Sequence, residues 1–161
     1  LVGIFMSVKS ESAVVSFLGY NLVVIPFGAI LGPALAHYEL AKPGIVGEAA
    51  VLTAAVTGVM AVSGLMFPNF YRSIGGALFG ALLALMVVLV ISMFVPALMG
   101  FTVIHYIAAG LFALYVGYDM HRASEIPATL DNAVDVCVSL YLDVINLFLW
   151  ILRILGNSSN D

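Results

Sequence analysis

Leu140-Tyr141-Leu142-Asp143-Val144-Ile145-Asn146-Leu147-Phe148-Leu149-Trp150 is apolar enough to lie in a bilayer, yet it carries a carboxylate near its centre. An acid at that depth costs a few kcal/mol on insertion scales, so it has a function or a partner. A second acid, Asp119, ends the apolar stretch before it. The composition around them agrees with a membrane setting. Of the 161 residues, 63% are hydrophobic and only 9% are charged, with a mean hydropathy of +1.17. Soluble domains carry about a quarter charged residues. A water-facing surface cannot be built from so few charges, and the chain reads as an integral membrane protein.

Five stretches are long enough to cross, at about 14–37, 46–67, 74–95, 101–118 and 133–155. Each holds roughly 18 to 24 residues, which matches a hydrocarbon core of about 30 Å. Strands of a membrane barrel would alternate in polarity over about 10 residues, and nothing here does. The fold class is therefore an all-α integral membrane protein, a single helical bundle of about five complete transmembrane helices over 1–161. Pro, Gly and charged clusters mark the breaks, among them Pro68-Asn69-Phe70-Tyr71-Arg72. The connections are short, so successive helices are expected to be antiparallel neighbours. The first residue is Leu, not Met, and residues 1–8 read as the end of a truncated helix. Small residues crowd the helices, including Gly28, Gly32, Gly75 and a Gly76-xxx-Gly80 motif. They are read as internal packing surfaces ahead of a dimer interface.

Lys9, Arg72 and Arg122 fall at one side and Lys42 and the C-terminal tail at the other. The positive-inside rule puts the first side in the cytoplasm, or in the matrix of an organelle. A bacterial plasma membrane, the endoplasmic reticulum and the mitochondrial inner membrane all fit. The net charge of −4 carries no basic patch, so nucleic acid is not a partner. The lone Cys137 excludes an internal disulfide and any multi-cysteine metal site, and it reads as a small apolar helix residue.

On a helix, Asp135, Ser139, Asp143 and Asn146 fall within roughly 80° of one another. That polar stripe must face the bundle interior or a water-filled cavity, so the last helix is expected to be central. Asp119 and Asp143, joined by a connection of about 13 residues, approach from the same side. If they meet, two like charges in low dielectric cannot both ionise cheaply, and they share a proton. Such a pair is a proton-operated latch. Protonated, it ties two helices by a hydrogen bond. Deprotonated, it repels itself and opens a path or binds a cation. The structural alternative lets Arg122 or His121 neutralise Asp119 while Asn146 satisfies Asp143. Asp131 or Asn132 reads as the N-cap of the last helix, with Asp135 in its first turn. Glu48 reads as a first-turn acid at the outer side, or as part of an ion path. The three histidines, His37, His105 and His121, show no metal-ligand spacing. There is no nucleophile elbow, phosphate loop or zinc-protease motif, so no enzyme activity and no tightly bound cofactor are expected.

Gly117-Tyr118-Asp119, followed by Leu140-Tyr141-Leu142-Asp143-Val144-Ile145-Asn146-Leu147-Phe148 and Leu152-Arg153-Ile154-Leu155-Gly156, resembles the C-terminal signature of the Bax inhibitor motif transmembrane family. The segment Gly28-Ala29-Ile30-Leu31-Gly32-Pro33 resembles that family's third helix. The resemblance implies seven helices in a full-length member with the last one central. This chain would lack the first helix and most of the second, together with a basic residue used near the aspartates. It also implies a pH-sensitive calcium leak channel or calcium/proton exchanger and, in eukaryotic members, regulation of apoptosis. Asp119 and Asp143 would be the pH-sensing, gating and calcium-contacting residues, with Asp135, Ser139 and Asn146 as a supporting stripe. The implied partners are the lipid bilayer, calcium and protons. The other reading is a structural or regulatory subunit that keeps the fold without transport, bound to other membrane-protein subunits.

Overall fold

The computed structural model describes residues 13–158, and the expected helix end at 1–8 lies outside them. Five helices follow one another: α1 Ala13–Ala41, α2 Ile45–Met66, α3 Pro68–Ser92, α4 Thr102–Glu125 and α5 Leu130–Asn157. A short 3-10 turn, Pro96–Gly100, links α3 to α4. All five helices are long and apolar enough to cross a membrane. The distribution of side chains points to the same environment. Ile30, Val51, Phe79, Val87 and Ile107 face outward, while Thr53, His105, Asp119, His121 and Asp143 are buried. Such an arrangement is stable where the surroundings are hydrocarbon.

The helices begin and end where local chemistry directs. Pro68 stands at the first position of α3, where its missing N–H costs nothing. Gly44, with φ of 90°, turns the chain between α1 and α2. The Glu39 carboxylate accepts from the Gly44 N–H at 2.7 Å and the Val46 N–H at 3.3 Å, tying that turn. Two expected boundaries are corrected. Helix α3 starts six residues earlier than position 74, because Pro68 initiates a helix rather than interrupting one. Helix α4 continues past Tyr118 to Glu125. Polar residues stop a hydropathy pattern without stopping a helix, and the breaker is Pro127. The connection to α5 is therefore residues 126–129 and not about 13 residues.

The N-cap of α5 is also corrected. Thr129, not Asp131 or Asn132, holds that position, and its hydroxyl accepts from the Asn132 N–H at 3.2 Å. Asn132 instead donates its side-chain amide to the Pro127 carbonyl at 2.7 Å.

Helix α5 packs on α4, α2 and α1, and α4 packs on α5, α2 and α3. The last helix lies inside the bundle, as its polar stripe requires, and shares that place with α4. Two glycines permit the closest crossings. A side chain on Gly64 of α2 would strike the Gly117 backbone of α4, and one on Gly117 would strike the ring of Tyr71. The Tyr71 hydroxyl meets Ser63 Oγ at 2.6 Å, so α2, α3 and α4 join at one point. Gly75 packs against Tyr118 and Gly156 against Tyr38. By contrast, Gly28, Gly32, Gly76 and Gly80 have open space where a Cβ would stand, so the GxxxG face is not an internal packing surface among the described residues.

Candidate functional site

Asp143 lies midway along the 28-residue α5, about 20 Å from either end at about 1.5 Å per residue. Asp119 lies in the last two turns of α4, the helix that packs most closely on α5. The short 126–129 connection makes the two helices antiparallel neighbours, and this brings the carboxylates together. They lie within hydrogen-bonding reach of each other, and each is 8% exposed.

A carboxylate is an acceptor only, so two ionised groups cannot bond to each other. Asp143 Oδ2 is accordingly buried with no donor. One proton held between the two groups would supply the absent bond and remove half of the buried charge. The Ser139 hydroxyl stands within reach of Asp119, and the Arg122 guanidinium acts on it through space.

Of the stripe read from α5, Asp135 and Ser139 line a cavity of about 280 Å³ together with Asp119, Arg122 and Asn132. This cavity lies between the end of α4 and the first half of α5. Asn146 belongs to the stripe by position but is not recruited to the pair. Its amide donates back to the Leu142 carbonyl at 2.7 Å, so it does not neutralise Asp143. Glu48 is not brought near the aspartates either. It sits in the first turn of α2, exposed, with Lys42 Nζ at 3.7 Å.

Sequence reading offered His121 as one neutraliser of Asp119, and the structure turns it to Glu125 instead. His121, only 3% exposed, turns Nε2 to Glu125 at 3.4 Å and leaves Nδ1 buried without a partner. Glu125 in turn holds Arg72 of α3. The sequence signal was weak: the His121–Glu125 spacing is one helical turn, but Arg72 lies 53 positions away. At the far end of α4, His105 is buried against Trp150 and meets Asn157 at 3.3 Å. Arg153 stacks on the same Trp150, its guanidinium carbon 4.8 Å from the ring centroid. Among the described residues no three His, Cys, Asp or Glu side chains gather as a metal site. The aspartate pair is a meeting point of two carboxylates.

A family model described as "Inhibitor of apoptosis-promoting Bax1" matches residues 1–160. An uncharacterized protein of Helicobacter pylori is 36% identical over 127 residues, covering 79% of this chain and 53% of that protein. LIFEGUARD 1 of Arabidopsis thaliana is 32% identical over 128 residues, covering 74% of this chain and 52% of that protein. An uncharacterized membrane protein of Vibrio cholerae is 26% identical over 136 residues, covering 83% and 60% respectively. The chain spans about half the length of the curated relatives it matches. With a bundle of apolar helices, a buried aspartate pair between α4 and α5 and a family match over nearly all of its length, the chain belongs to the Bax inhibitor-1 family of integral membrane proteins.

Proposed function

We propose that the protein passes calcium across a membrane, as a pH-sensitive leak channel or a calcium/proton exchanger, with Asp119 and Asp143 as the proton latch. The observation that carries this reading is the meeting of two buried carboxylates from two helices, with Asp143 Oδ2 lacking any donor. A purely structural pair would be satisfied by a cation or amide. Here the amide of Asn146, three residues beyond Asp143, is bonded elsewhere. Protonated, the pair ties α4 to α5. Deprotonated, it separates them or offers oxygens to a hard cation, which takes such ligands readily. Calcium is cargo in this scheme. Its path begins in the cavity bounded by Asp119, Asp135 and Ser139.

The test is calcium flux in proteoliposomes between about pH 5 and 8, for the parent and Asp143→Asn. The parent flux is expected to follow pH and the variant to lose most of that dependence. An identical pH–flux curve in both would overturn the latch.

The outward Gly76–Gly80 face favours a second reading, a subunit that docks on another membrane helix through small residues. Co-purification in a stoichiometric complex, with no flux after reconstitution, would support it.

A further inference from the structure

The cavity beside Asp119 holds one group that the latch does not use. Asp119, Asp135, Asn132 and Ser139 offer it oxygen atoms, whereas Arg122 brings only donors and a permanent positive charge. Arg122 stands three residues beyond Asp119, close to one turn, and its charge acts on that carboxylate. Among the described residues, though, no salt bridge joins the two. Of the other charged groups near this end, Glu125 holds Arg72 and faces His121. Arg122 is exposed on a long, flexible stem, so its guanidinium can move within the cavity or out of it.

A cavity with two carboxylates and one guanidinium has its attraction for a cation partly cancelled from within. The oxygen set suits a hard divalent ion, and a tethered cation beside it lowers the occupancy of any soluble one. We infer that Arg122 is a built-in competitor for the divalent cation admitted to this cavity, and hence a specificity-determining residue for the function proposed above, on which the inference rests. A helix-end role is the simpler use of a basic residue in the last turn of α4. That role would alter stability and leave cation affinity alone, so the two uses separate by experiment.

The measurement is calcium binding to the full chain in detergent, read as the rise in Tm across a calcium titration, for the parent, Arg122→Gln and Arg122→Lys. The calcium concentration giving half the effect is expected to fall about tenfold in Arg122→Gln, the size of effect a nearby unit charge produces. Arg122→Lys keeps the charge and is expected to stay near the parent. A calcium response only in Arg122→Gln would also support the competitor. Equal half-effect concentrations in the parent and Arg122→Gln would overturn it and leave the calcium reading standing. No calcium response in any of the three would overturn both. The exposed position of Arg122 keeps all three proteins foldable, and Tm without calcium reports any helix-end contribution separately.

Discussion

Asp143 is the residue on which the proposed chemistry turns, and the reason is its depth. A carboxylate at mid-membrane needs a proton, a cation or a donor, and the structure supplies a second carboxylate instead. The Asp143→Asn variant leaves the shape nearly intact and replaces an acid by a donor that can bond to Asp119. Its pH–flux profile is therefore expected to be flat where the parent's is not. Two residues at this scale were open to sequence reading, Asp119 and Asp143, because their apolar surroundings made them conspicuous. Asn146 was equally conspicuous and takes no part, since a side-chain amide inside a helix can always turn to the carbonyl one turn back. Thr129 went unnoticed because two polar residues just after it, Asp131 and Asn132, compete for the same cap. Thr129→Ala is expected to cost about 1 kcal/mol by loss of that cap, seen as a lowered Tm, with no change in the pH dependence of flux.

At the scale of helices, the glycines divide into two groups that look alike in the sequence. Gly64 and Gly117 sit where α2 and α4 cross with backbone against backbone. Overpacking a tight core typically costs about 1–3 kcal/mol, and here the obstruction is backbone, which cannot rotate away. Gly64→Ala is therefore expected at or above the top of that range, read from thermal unfolding in detergent. Gly76→Ala meets nothing within 4 Å. It is expected to leave Tm unchanged or raise it slightly, because alanine favours helix by about 1 kcal/mol over glycine. The reverse ranking would mean that the Gly76 face is covered by a partner. Hydropathy located all five helices but misplaced the end of α4. Five of the seven residues from Asp119 to Glu125 are polar and the stretch is still helical, and that extra length carries Arg122 to the cavity beside Asp119.

At the scale of the whole molecule, the bundle turns its polar groups inward and its large apolar side chains outward, so a bilayer completes it. The end of the bundle near the aspartates is tied across helices by Arg72 of α3 and Glu125 of α4. Both side chains are well exposed, at 63% and 46%, so the tie is weak. A double-mutant cycle on Arg72→Ala and Glu125→Ala is expected to give a coupling of about 0.2–1 kcal/mol that fades as salt is added. A coupling above that range at high salt would show that the pair is shielded from water in the folded protein.

Composition and helix-length apolar runs determined by themselves that this is a membrane protein with five spans among its described residues, because hydrocarbon tolerates little else. One conspicuous signature, from Leu140 to Phe148, was enough to indicate the family. Periodicity placed Asp135, Ser139 and Asp143 on one face of the last helix. Only the tertiary structure decided which groups meet. Crossing geometry at Gly64 and Gly117 joins α2 to α4, and the short 126–129 connection lays α4 along α5. From those two features follow the contact between Asp119 and Asp143, the exclusion of Asn146 and Glu48 from it, and the cavity that contains Arg122. A local pattern can state which way a side chain faces on its own helix. It carries no information on the angle and offset at which two helices cross, and those set every distance in the site.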